Sequence, residues 1–102
     1  MDIERLKDLY KKDLVVITEH AEMRLQERNI TIKDIADAIN NGEIIENYDE
    51  DEPFPSCLIL YLKDKKPIHV VVSDAKEYIK IVTAYIPNKE KWFDGFKKRV
   101  IV

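Results

Sequence analysis

The spacing of the apolar residues changes at Gly42, and this change constrains the fold more than any other feature of the sequence. Before Gly42, apolar side chains recur every three or four residues, which is typical of amphipathic helices. After Gly42 they fall into short runs rich in Ile, Val, Leu and Tyr, which is typical of β-strands. A chain with helices first and strands afterwards is predicted to fold as an α+β domain.

Three N-terminal helices are predicted before Gly42. The first covers residues 2–12, and the second covers roughly residues 19–28, where Thr18 supplies a side-chain oxygen for the N-cap. A third helix begins at a capping pattern formed by Thr31 and ends at Asn41-Gly42, where the glycine is expected to take a left-handed backbone conformation.

A four-stranded, mainly antiparallel sheet and a short C-terminal helix are predicted after Gly42. The connectors between the last three strands are short and turn-like, which favours antiparallel neighbours. The predicted strands are 44–48, Cys57–Leu62, Ile68–Ser73 and Tyr78–Ile86. Pro87-Asn88 should end the last strand and cap a helix that contains Trp92, Phe93 and Phe96.

Length and composition limit the class of protein. The chain has 102 residues and no linker-like segment, so one domain spanning residues 1–102 is expected. Its single cysteine, Cys57, excludes an intrachain disulfide and a cysteine-rich zinc site. Because no apolar run suits a signal peptide or a membrane span, we expect a cytoplasmic protein with no membrane contact. The net charge of −3 argues against attraction of the whole surface to nucleic acid.

His20, Arg24 and Arg28 form a cationic stripe on the second predicted helix. They are four residues apart and fall within an arc of about 80° that borders the apolar face. At a core margin, two guanidinium groups could hold a phosphate and an imidazole could move a proton. In the alternative interpretation, the arginines pair with Glu22, Glu27 or the acidic loop, and His20 is a residue at the start of the helix with no functional role.

His69 and Tyr85 are the other candidate site residues. The period of two places His69 on the strand face opposite Val70, where a buried imidazole needs a hydrogen-bonding partner. It is either a site residue or a core histidine bonded to Tyr61, Ser73 or Tyr85. Tyr85 could stack on a base or donate its hydroxyl to a phosphate, or it could be structural. The sequence has no P-loop and no His-Glu-x-x-His motif, so no cofactor and no metal are predicted.

The ordered set of motifs over residues 18–99 resembles a family of small bacterial proteins, the domain-of-unknown-function family DUF4258. The motifs are His20-x3-Arg24-x3-Arg28-x-Ile30, then Ile39 and Gly42, then Pro67-Ile68-His69-Val70-Val71, then Ile81-Val82-Thr83-Ala84-Tyr85-x-Pro87, and Trp92. The layout is also similar to RelE-like and barnase-like metal-independent ribonucleases, many of which are toxins of toxin–antitoxin pairs. This second similarity is an analogy of fold.

Two hypotheses follow. The similarity to RelE-like and barnase-like ribonucleases implies a metal-independent endoribonuclease of toxin type, with RNA and an antitoxin-like protein as partners. In it, His20 and His69 would be general acid and base, Arg24 and Arg28 would clamp the phosphate, and Tyr85 would stack on a base or relay a proton. The alternative is a non-catalytic binding module whose cationic cleft recognises an acidic protein or a nucleic acid. A catalytic site shared by His20 and His69 requires the two imidazoles to lie on the same side of the sheet.

Overall fold

The computed structural model describes residues 1–101, which form three helices and two sheets. The helices are α1 (Ile3–Lys11), α2 (Glu19–Glu27) and α3 (Ile32–Asn41). The strands are β1 (Val15–Ile17), β2 (Glu43–Tyr48), β3 (Ser56–Lys63), β4 (Lys66–Asp74), β5 (Ile79–Tyr85), β6 (Trp92–Phe93) and β7 (Lys98–Arg99). Within residues 1–101, no helix has the length and hydropathy needed to cross a membrane.

The helices begin where side-chain caps satisfy the free N–H groups of their first turns. The Thr18 side chain accepts a hydrogen bond from the N–H of Ala21 at the start of α2. At the start of α3, Thr31 and Asp34 form a reciprocal capping box. Three helices precede most of a mainly antiparallel sheet, which confirms the predicted α+β class with N-terminal helices.

The main sheet has five strands in the order β1-β5-β4-β3-β2, so the prediction of four strands is wrong. The extra strand is the apolar run before Thr18, which pairs in parallel with Ile79–Ile81 of β5. The other neighbours are antiparallel. A three-residue strand has no measurable period, and its partner is distant in sequence, so local patterning did not reveal it.

Different elements pack on the two faces of the main sheet. The helices pack on the first face, where they form the core with Val70, Val72 and Ile81. Because side chains alternate along a strand, His69 and Val71 point to the opposite side, which we call the second face. Residues 92–99 lie over part of this second face.

The predicted C-terminal helix is wrong, because β6 and β7 form an antiparallel hairpin that we call the C-terminal hairpin. Its turn contains Asp94, Gly95 and Phe96, all with φ between 53° and 70°. Three consecutive left-handed residues cannot continue a right-handed helix. Of the aromatic residues that suggested a helix face, Trp92 and Phe93 form β6 and Phe96 lies in the turn.

Gly42 ends α3 as predicted but not in the left-handed conformation, since its φ is −83°. Close packing, and not backbone conformation, requires a glycine at this position. A Cβ at this position would lie 2.6 Å from Ile59 Cγ2 and 2.8 Å from the Leu60 carbonyl oxygen, and it would also meet the Ala38 oxygen. Glycine is therefore needed here because α3 and β3 approach too closely for a side chain.

Candidate active site on the second face

His69 is completely buried at the centre of the second face. Its Nε2 lies 2.9 Å from the Phe96 carbonyl oxygen, and its Nδ1 lies 3.3 Å from the Tyr85 hydroxyl. The Trp92 ring meets the imidazole edge to face, with 4.4 Å between ring centroids. The C-terminal hairpin thus covers His69 and also supplies one of its hydrogen-bond partners.

These contacts assign the proton positions on His69. A carbonyl oxygen can only accept, so Nε2 must carry the hydrogen that bonds Phe96. Burial lowers the pKa of His69, an effect that the Phe96 bond and Glu46 partly oppose, and the ring is neutral at pH 7. In a neutral ring with Nε2 protonated, Nδ1 is an acceptor. The Tyr85 hydroxyl therefore donates to His69.

Tyr85 is the accessible member of this pair, because its side chain is only partly buried. Burial raises the pKa of Tyr85, the charge of Arg99 lowers it, and Glu46 raises it. The phenol therefore stays protonated at neutral pH. Its oxygen still has lone pairs that can accept a proton from another molecule while its own hydrogen faces His69.

Arg28 lies at the border of the same site. β1 pairs only with Ile79–Ile81, so the later part of β5 has an open edge. Arg28 fills this edge by donating from Nη1 to the Ala84 carbonyl oxygen at 2.8 Å and to Thr83 Oγ1 at 3.2 Å. Thr83 and Tyr85 share the second face, so Arg28 places positive charge next to Tyr85.

Four residues that are not among the predicted site residues complete the cluster. They are Glu46, Tyr48, Trp92 and Arg99. Arg99 donates from Nε to both Glu46 carboxylate oxygens, at 3.0 and 3.1 Å, and from Nη2 to the Tyr48 hydroxyl at 3.2 Å. Its guanidinium carbon lies 4.6 Å from the Trp92 ring centroid. Burial and the bond to Glu46 raise the pKa of Tyr48 to about 12. The cluster therefore combines a carboxylate, a guanidinium, an imidazole, an indole and two phenols.

The structure does not bring His20 and Arg24 into this cluster. His20 is exposed on α2, which packs on the first face. Arg24 forms an exposed ion pair with Glu27 at 3.1 Å, as the alternative interpretation of the stripe expected. The prediction that His20 and His69 share a site is therefore wrong, because strand alternation turns His69 away from the face that α2 covers.

No metal site accompanies the cluster. Across residues 1–101, no group of three or more His, Cys, Asp or Glu side chains could hold a metal ion. What these residues can do without a metal is transfer protons and stabilise negative charge.

Comparison with known protein families matches residues 17–86, more than half of the chain, to the domain of unknown function DUF4258. The chain belongs to the DUF4258 family. No curated protein and no solved structure matches it. The analogy to RelE-like and barnase-like ribonucleases therefore rests on layout and residue types alone.

The DUF4258 match covers most of the site. It includes Arg28, Glu46, His69 and Tyr85, but it ends before the C-terminal hairpin. Alternation in β2 carried a signal for Glu46, since a β2–β3 pairing puts it on the same face as Tyr48. Nothing local in the sequence indicated that the hairpin would place Arg99 beside them.

Proposed function

We propose that this DUF4258 protein is a metal-independent endoribonuclease of toxin type, with Tyr85 rather than a histidine as the group that touches RNA. The observation that carries the proposal is the Tyr85 hydroxyl, which donates to His69 Nδ1 at 3.3 Å while Arg28 binds the two residues that precede it. A neutral phenol backed by a neutral imidazole can pass on a proton, and the neighbouring arginine favours an anionic ligand.

The reaction would be an internal transfer at phosphorus. The 2′-hydroxyl of RNA attacks the adjacent phosphate, and its proton moves to the Tyr85 oxygen as the Tyr85 proton moves to His69 Nδ1. The bond from phosphorus to the 5′-oxygen breaks, and that oxygen takes a proton from water. The products are a 2′,3′-cyclic phosphate and a 5′-hydroxyl end, and the imidazolium afterwards returns its proton through Tyr85 to solvent.

The remaining residues take roles that follow from their contacts. Arg28 uses only Nη1 in the contacts to β5, so the rest of its guanidinium group can face a phosphate. His69 acts through Tyr85 and is a positioning and proton-holding residue, since it is completely buried. His20 and Arg24 are exposed on α2, away from Tyr85, and have no role in the reaction.

A second candidate function is a binding module, and a specific observation favours it. Both nitrogens of His69 are bonded within the protein, and Arg24 is paired with Glu27. In this alternative His69 stabilises the fold, and the exposed stripe of α2 recognises an acidic protein. Arg24→Glu would then weaken binding of a co-purifying partner much more than Lys12→Glu, a matched reversal of an ion-paired residue at the C-cap of α1.

One assay decides between the two functions. Purified protein is incubated with mixed RNA in excess EDTA, and the ends of any fragments are analysed. The ribonuclease proposal expects cleavage with 2′,3′-cyclic phosphate or 3′-phosphate ends. No cleavage above that of a mock purification that lacks the protein would overturn it and leave the binding module.

A further inference from the structure

A groove of about 420 Å³ opens on the second face beside the Tyr85–His69 pair. Its lining residues are Asp51, Glu52, Pro53, Phe54, Ser56, Val71, Ser73, Tyr78, Lys80 and Val82. We propose that this groove, which we call the base groove, binds a nucleobase of single-stranded RNA next to the phosphate that is cleaved. The inference rests on the proposed function for its choice of ligand.

The position of the base groove follows from strand register. His69 pairs with Tyr85, and Val71, two residues along β4, pairs with Thr83. Two residues of a strand span about 7 Å, and both pairs face the same side. The groove therefore begins within about one nucleotide's reach of the Tyr85 hydroxyl, with no strand or helix between them.

The apolar lining suits a flat aromatic ligand. The side chains of Val71 and Val82 form part of the lining, and Phe54 and Tyr78 add two aromatic rings. Val82 is 39% exposed and Tyr78 is 36% exposed, although both are large and apolar enough to be buried in a core. Stacking on aromatic side chains is how proteins hold the bases of single strands, since every base has a π-face.

The polar lining distinguishes a base from a phosphate. Asp51 and Glu52 line the groove on the loop that follows β2, and Ser56 Oγ donates to Asp51, which fixes that carboxylate. Carboxylates repel phosphate but accept hydrogen bonds from amino groups of bases. Lys80 lines the groove from β5 and can hold the backbone of the strand. We therefore expect amino-bearing bases to bind more tightly than uracil.

The groove between α2 and α3 supplies a matched control. It has a similar volume of about 450 Å³ and contains Leu25, Ile30 and Ile32, but it has no aromatic residue and no lysine. Ile32 is 49% exposed, so Ile32→Ala removes an exposed apolar side chain from a groove of the same size without changing the second face.

The test is a titration of 5′-CMP and 5′-UMP into the protein, followed by NMR chemical shifts and by calorimetry. We expect shifts at Val71, Tyr78 and Val82, and tighter binding of CMP than of UMP. Phe54→Ala and Tyr78→Ala should each weaken CMP binding about tenfold, whereas Ile32→Ala should leave it unchanged. Circular dichroism checks that each variant is folded.

Three results would overturn the base groove. They are the absence of nucleotide binding, equal binding by Phe54→Ala and Ile32→Ala, and shifts confined to the α2–α3 groove. Tyr85→Phe separates this proposal from the proposed function, because it removes the relay but not the groove. If Tyr85→Phe cleaves RNA normally while Phe54→Ala loses CMP binding, the base groove stands and the catalytic role of Tyr85 fails.

Discussion

The Tyr85 hydroxyl donates to Nδ1 of His69 across 3.3 Å, and the opposite nitrogen of the same ring holds the Phe96 carbonyl at 2.9 Å. One imidazole therefore connects the partly buried phenol to the turn of the C-terminal hairpin. A change in the protonation or identity of His69 should therefore alter the hydrogen bonds both to Tyr85 and to the hairpin.

His69→Ala should lower the free energy of unfolding by about 2–4 kcal/mol, because it leaves a cavity under Trp92 and removes the donor to Phe96. Urea denaturation followed by circular dichroism and Trp92 fluorescence measures the change. The control is His20→Ala on the surface of α2, which should change stability by less than about 0.5 kcal/mol. Equal effects of the two substitutions would contradict the central position of His69.

The stability of the protein should depend on pH near neutrality through His69. Because burial lowers the pKa of His69 in the folded state below its ordinary value of 6.5, the unfolded chain binds a proton first as the pH falls. The free energy of unfolding should therefore be highest above pH 6.5, fall as the pH drops through 6.5, and stop falling below the folded-state pKa.

His69→Gln isolates this effect, since glutamine does not titrate. Its stability should be flat across the same interval, and a slope equal to that of the wild type would contradict the assignment. Acidic groups act in a separate range. The hydrogen bond from Arg5 lowers the pKa of Asp74 below 3.8, so its contribution is lost only in stronger acid.

The sequence predicted the parts of the fold that depend on local pattern. The capping residues Thr18 and Thr31 marked two helix starts correctly, and the change of period at Gly42 marked the start of the sheet. All four predicted strands match β2, β3, β4 and β5 to within two residues at each end. These features are set by residues close together in sequence, which is why they could be read.

The parts of the fold that were predicted wrongly depend on contacts between residues that are distant in sequence. The strand before Thr18 exists because β5 offers it a parallel edge, and the C-terminal hairpin exists because Trp92 packs on His69. The site shows the same limit. Tyr85 was one of three predicted partners of His69, and the β4–β5 register selects it, whereas the position of Arg99 depends on a hairpin that the pattern had indicated as a helix.

Gly42→Ala and Gly95→Ala should separate close packing from backbone strain. Gly42→Ala forces a Cβ against backbone oxygens of α3 and β3 and should cost about 2–3 kcal/mol. Gly95 has φ of +66° with nothing within 4 Å of a new Cβ, so alanine there should cost about 1 kcal/mol. Thermal denaturation of both variants gives the order, and a larger loss at Gly95 would contradict the packing of α3 on β3.

Arg28→Lys should reduce kcat/KM for RNA cleavage by about tenfold or more. An ammonium group that donates to Thr83 and Ala84 has only one N–H left, so it cannot make the planar two-point contact with a phosphate that a guanidinium group makes. Arg24→Lys is the matched control four residues away, and it should change kcat/KM by less than about threefold because Arg24 forms only a surface ion pair. A larger loss in Arg24→Lys would move the phosphate contact to the outer side of α2.

The cleavage rate of Tyr85→Phe tests the central claim most directly. The substitution removes one oxygen from the second face and leaves the ring, so the fold should be retained, as circular dichroism can verify. Tyr61→Phe, which loses the same atom from a side chain packed on the first face, is the control. With single-stranded RNA in excess EDTA, the account predicts a loss of about 10²–10⁴-fold in rate for Tyr85→Phe and a wild-type rate for Tyr61→Phe. Cleavage by Tyr85→Phe at the wild-type rate would contradict it.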